Sequence, residues 1–179
     1  MASRALRVTY SAAFACLPAL GAYLVVPLGP VPFTLQTFFV YLAGAVLDPW
    51  AAAGSQMLYL LLGIAGLPVF AGGAAGPAVI FSPVGGFLLS FPVAALVESL
   101  VARRGGRARA AAALTLGVAT VFGMGISYYF LYVMPSDVVG QLAFFAPFVV
   151  WDGIKASLAY FVGRRLSTVT RGGITSAPR

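Results

Sequence analysis

Six stretches of this chain are apolar over helix-length distances, roughly residues 8–26, 33–47, 51–66, 79–102, 110–133 and 142–163, and the charged residues lie almost wholly between them. A bilayer's hydrocarbon core is crossed by about 20 helical residues. Inside it only helices and closed barrels satisfy their own backbone polar groups. Chemical breaks separate the runs: "PLGPVP" at 27–32, "DPW" at 48–50, "GLPVFAGGAAGP" at 66–77, "RRGGRAR" at 103–109 and "MPSDVVGQ" at 134–141. Proline and glycine punctuate most of them. Apolar residues make up 61% of the chain and charged ones 8%, against roughly 45–50% and 25% in soluble domains. That leaves too little polar surface to cover a water-exposed globule. The expectation is an all-α integral membrane protein with one six-helix domain over residues 1–165 and a polar, disordered cytoplasmic tail over 166–179. The second and third runs are short for a full crossing.

Charge gives an independent reading of topology. The ten arginines cluster at Arg4 and Arg7, at Arg103, Arg104, Arg107 and Arg109, and at Arg164, Arg165, Arg171 and Arg179. With six helices these three regions share one side, and the positive-inside rule makes that side the cytoplasm, with both termini there. The net charge of +7 is then topological. A nucleic-acid role for "RRGGRAR" would need a basic face on a soluble fold; anionic lipid headgroups could meet the same arginines. The single cysteine, Cys16, excludes an internal disulfide, and with no histidine there is no metal site to expect. The N-terminal run has a signal peptide's basic start, but its length and the runs that follow favour a retained helix. "PVPF" near 31 and "LPVF" near 67 form an echo too short for a repeat.

The residues that bear on function are those that do not belong in such runs. "FFAPFVVWDGIKASLAYFVG", 144–163, carries Asp152 and the chain's only lysine, Lys155. Each costs roughly 2.5–3.5 kcal/mol at the centre of a membrane helix, and such residues face a bundle interior or a cavity. Three positions apart, they share a helix face and can pair. Two readings stand: an internal ion pair that fixes packing, or the end of a cavity offering an acceptor and a cationic donor to a polar solute. Gln36, with Thr34 and Thr37 beside it, can hydrogen-bond a ligand or tie two helices together. Gln56 is a further intramembrane amide. Glu98, five residues before Arg103, reads as an interfacial helix-end carboxylate. Asp48 and Asp137 read as caps.

The glycine-rich segment 70–87 can turn over a pocket and offer backbone groups, with Gly85 and Gly86 among the candidates. Phe33, Phe38, Tyr41, Phe70, Phe81, Phe87, Tyr128 and Trp151 are the aromatics available for its walls, and Trp151 adjoins Asp152. Ser11, Ala15, Ala19 and Ala22 form a small-residue stripe that allows close helix approach, within the chain or to a partner. No nucleophile and base stand together and no phosphate-binding loop occurs, so neither catalysis nor ATP hydrolysis is expected of this chain.

Four ordered segments, "VPFTLQTFFVYLAG" at 31–44, "LLGIAGLPVFAGG" at 61–73, "SPVGGFLLSF" at 82–91 and "WDGIKA" at 151–156, together resemble the BioY family. Those are the biotin-specific substrate-binding (S) subunits of energy-coupling factor (ECF) transporters. The resemblance runs from about Leu6 to Arg164. It implies the ECF S-component fold in a prokaryotic cytoplasmic membrane. It also implies capture of biotin from outside and docking on a transmembrane coupling protein with two cytoplasmic ATPases, which alone would use ATP. The family's Asp-x-x-Lys motif maps to Asp152 and Lys155, and its partner-docking stripe to Ala15 and Ala19. Some members place an asparagine in the pocket, and this chain has none. A self-sufficient, oligomeric transporter and an S subunit for another small vitamin are the alternatives.

Overall fold

The computed structural model describes residues 4–27, 31–103 and 106–175. Its elements in chain order are α1 (Arg4–Tyr23), β1 (Val25–Val26), β2 (Phe33–Thr34), α2 (Gln36–Val46), α3 (Pro49–Ile64), α4 (Pro77–Ile80), α5 (Gly85–Ala102), α6 (Arg107–Val133) and α7 (Val138–Thr175), with a 3₁₀ turn at Ala71–Gly73. Three helical stretches, Gly85–Ala102, Arg107–Val133 and Val138–Leu166, are long and apolar enough to cross a membrane; Val8–Tyr23 and Gln36–Val46 are apolar but shorter.

Local chemistry sets the boundaries. At α3 the Asp48 side chain accepts from the Ala51 N–H at 3.1 Å, with Pro49 at the first helical position, where its missing N–H costs nothing. Asp137 does the same for α7, accepting from the Gly140 N–H at 2.8 Å. Both aspartates are therefore the caps that the turn chemistry predicts. Gly76 adopts φ +90° immediately before Pro77, a conformation that a side chain resists.

Three features depart from the sequence reading. The fourth apolar run is not one helix from residue 79: it breaks into the single turn α4 and a bend, and α5 starts at Gly85, because Pro83 removes a donor and disfavours helix at the residue before it. The connection after α1 folds into an antiparallel ribbon pairing Val25 with Thr34 and Val26 with Phe33, so the chain is not purely helical. The last helix continues to Thr175, into the segment whose polar composition suggested irregular chain; extending a helix already nucleated is far easier than starting one.

α2 is central, packing on α1, α5 and α7, while α5 packs on α2 and α3 and lies along α6. The Leu35 N–H donates to the Gly21 carbonyl at 3.1 Å, and a Cβ on Gly21 would lie 2.7 Å from the Leu35 carbonyl carbon. Glycine lets α1 meet the start of α2 at backbone distance. The small-residue stripe of α1 turns inward: Ala15 is 1% exposed, Ala19 packs against the same core, Ala22 is buried, and the Ser11 hydroxyl donates to the Ala51 carbonyl at 3.4 Å. Ala15 and Ala19, expected on a docking face, pack into this chain's own core. Leu20, Leu61, Leu116, Leu131, Val150 and Phe161 point outward, the apolar belt required by a lipid surround.

Candidate functional site

Phe145, Phe148, Asp152 and Lys155 follow one another on α7 at intervals of three, four and three, which aligns them on a single face. That face meets β2 and the first turn of α2 and bounds a cavity of about 180 Å³. Phe33, Phe87, Phe91, Phe122, Phe145 and Phe148 make most of its wall apolar. Thr34, Gln36, Thr37, Asp152 and Lys155 make one part polar, and the glycine-rich segment contributes Ala71, Ala74 and Val79.

The polar part is a closed circuit. Lys155 Nζ lies 2.6 Å from Asp152 Oδ1 and donates to the Thr34 carbonyl at 2.7 Å and Thr37 Oγ1 at 3.2 Å. All three ammonium hydrogens are thereby used, and the charge also sits 3.9 Å from the centroid of the Phe33 ring, a cation–π contact. Asp152 accepts from the Thr37 hydroxyl at 3.1 Å and, on its other oxygen, from Tyr41 at 2.9 Å. Asp152 and Lys155 are 3% and 7% exposed. Burying them is tolerable because each charge is both paired and hydrogen-bonded. The internal ion pair and the cavity end, separate readings of the sequence, coexist in one arrangement.

Gln36 stands beside it, 4% exposed. Its Oε1 accepts from the Thr34 hydroxyl at 2.8 Å, and its Nε2 donates to the Tyr59 oxygen.

The other expected residues divide. Phe33 lines the cavity. Tyr41 is fully buried behind the wall and reaches the site only by holding Asp152. Trp151 is 56% exposed and meets Phe33 edge-on at 6.4 Å from outside the cavity. One helical position, about 100°, separates it from Asp152. Gly85 and Gly86 do not line the cavity either: a Cβ on them would run into the Ile80 carbonyl and the Tyr128 side chain. They permit close packing and leave the backbone contacts to the segment before them. Among the other aromatics, Phe81 is exposed, Phe38 packs on Phe39, and Phe70 lies on Tyr59.

Composition did not point to Phe91, Phe122, Phe145 or Phe148. The regular spacing to Asp152 and Lys155 could have found Phe145 and Phe148; Phe91 and Phe122 come from other helices and carry no local mark. Glu98 is buried inside the protein rather than exposed at a helix end. It is 1% exposed, wedged where Cβ atoms on Gly44 and Gly117 would lie 2.9 and 3.2 Å from its carboxyl, and neither oxygen has a hydrogen-bond partner among the described residues. The two glycines open a notch that admits it. Gln56 is buried as well, donating to Ser55 Oγ at 3.1 Å. Among the described residues no three His, Cys, Asp or Glu side chains gather into a metal site.

A model of the BioY family matches residues 1–172. The probable biotin transporter BioY of Pyrococcus horikoshii is 37% identical over 165 residues, covering 91% of this chain and 97% of the relative. The biotin transporter BioY of Thermotoga maritima is 37% identical over 155 residues, 86% of this chain and 90% of that one. Among solved structures, the crystal structure of the S-component for biotin from an ECF-type ABC transporter superposes with a TM-score of 0.82 at 26% identity, covering 94% of this chain and 95% of that one.

Proposed function

The chain belongs to the BioY family, and on that premise we propose that it takes up biotin across the cytoplasmic membrane as the biotin-binding S component of an ECF transporter. The observation that carries the reading is the buried Asp152–Lys155 pair at the polar edge of an otherwise aromatic cavity. Biotin has matching parts: a ureido group with two N–H donors and one carbonyl, an apolar bicyclic body, and a carboxylate tail. Asp152 is an acceptor for N–H groups. Lys155 is a donor to a ligand oxygen, which it reaches by exchanging one of its present acceptors, the Thr34 carbonyl or Thr37. The phenylalanine wall covers the apolar body.

In this reading six helices cross the membrane with both termini in the cytoplasm, where the arginine clusters keep them. Binding energy alone only shifts populations between states. Net accumulation therefore draws on a transmembrane coupling protein and cytoplasmic ATPases, since this chain carries no phosphate-binding loop. Titration calorimetry with detergent-purified protein tests the binding step. The expected result is saturable one-to-one binding that Asp152→Asn and Lys155→Met each weaken at least tenfold. A folded, ligand-free protein that releases no heat with biotin would overturn the reading. Uptake into vesicles by this chain alone, without nucleotide, would replace the coupled mechanism with a self-sufficient one.

A further inference from the structure

Tyr59, on α3, is fully buried, with the Phe70 ring edge-on at 5.7 Å and the Phe91 ring stacked at 6.3 Å. It does not line the cavity. We propose that Tyr59 is a positioning residue for the ligand: it fixes the Gln36 amide so that one N–H is kept as a donor to an acceptor oxygen of the bound molecule. The inference rests on the biotin reading and adds a residue and a hydrogen-bond polarity to it.

The polarity follows from counting hydrogens. A tyrosine hydroxyl has one. The Val69 carbonyl, 2.9 Å from the Tyr59 oxygen, can only accept, so the hydrogen lies there. The Tyr59 oxygen must then accept from Gln36, and only the NH₂ side of the amide can supply a hydrogen. Oε1 is left to Thr34, whose hydroxyl donates to it at 2.8 Å and accepts from the Gln36 backbone N–H at 3.3 Å. Flipping the amide would set Oε1 against an oxygen that has no hydrogen to give. In the orientation that remains, one Nε2 hydrogen goes to Tyr59, and the other has no acceptor among the described residues, on a side chain that lines the cavity. A buried donor without a partner is costly, and a ligand oxygen recovers that cost. Val69 lies in the segment that also supplies Ala71 and Ala74 to the cavity wall, so Tyr59 sets the amide and the wall together. Biotin offers two acceptors, the ureido carbonyl and the carboxylate.

The test compares biotin with 2-iminobiotin, whose ureido oxygen is replaced by nitrogen, and with a descarboxy analogue, whose side chain ends in a methyl group in place of the carboxylate. Calorimetry on the full chain gives three affinities for the wild type, Tyr59→Phe and Thr34→Val. Tyr59→Phe keeps the ring packing and removes the acceptor that orients the amide; Thr34→Val loosens it from the other side. Both variants are expected to weaken biotin about tenfold while hardly changing the analogue that lacks the relevant oxygen, so one selectivity ratio collapses. Collapse of the iminobiotin ratio places the donor on the ureido oxygen; collapse of the descarboxy ratio places it on the carboxylate. If all three affinities fall together, or none falls, Tyr59 is only a packing residue and the inference is overturned. If the wild type does not bind biotin, the biotin reading itself fails, and this inference with it.

Discussion

Replacing Lys155 by methionine removes a charge while keeping most of the side chain's volume. At 2.6 Å and an effective dielectric of about 20, the attraction to Asp152 is about 6 kcal/mol before desolvation is counted. The ammonium's own burial cost is relieved by the substitution, which offsets part of that loss. What remains is Asp152, 3% exposed and held only by the Thr37 and Tyr41 hydroxyls, while the Thr34 carbonyl loses its donor. Breaking a buried pair from one side costs about 3–5 kcal/mol, and we expect that loss for Lys155→Met and a similar one for Asp152→Asn. The double variant leaves no uncompensated charge, so it is expected to recover at least half of either single loss. The assay is a double-mutant cycle on unfolding in detergent, with biotin affinity measured on the same four proteins. The double variant should regain stability without regaining affinity, which separates the pair's structural role from its ligand role. Single losses that simply add, with no recovery in the double variant, would show that the two charges are not coupled and refute the reasoning.

Glu98 gives the opposite expectation: its carboxyl is buried with no partner among the described residues, so Glu98→Met should stabilise the protein by about 1–3 kcal/mol in the same unfolding assay, and a loss of stability would mean that the carboxyl is satisfied in the folded protein. Gly76→Ala forces a side chain into φ +90° and should cost about 1–3 kcal/mol, read as a lower unfolding temperature; an unchanged value would mean that this turn is free to relax. Trp151→Ala, outside the cavity, should leave biotin affinity within about threefold of the wild type, whereas Phe148→Ala, in the cavity wall, should weaken it more than tenfold by removing apolar contact; calorimetry on the two variants decides, and the reverse order would place the ligand elsewhere.

Most helix and loop positions and the two aspartate caps were legible from the sequence alone because their causes are local: an apolar run long enough to satisfy its own backbone, a proline or glycine that cannot continue it, a carboxylate three residues ahead of an orphan N–H. So was the Asp152–Lys155 pair, since both charges sit on one helix face and neither belongs in hydrocarbon. Which way each helix faces was not. In a soluble helix the polar stripe marks the outside, but here lipid and protein interior are equally apolar, so the pattern that orients a helix in water is nearly absent. Ala15 could face inward or outward on sequence grounds, as could Trp151, and Glu98 could lie at an interface or in a core. Only packing between distant segments decided these. The bonds that build the site span 111 residues from Tyr41 to Asp152 and 121 from Thr34 to Lys155, and Tyr59 meets Gln36 across 23. Nothing within a single helix records such a pairing, because it exists only once α2, α3 and α7 have closed around the same cavity.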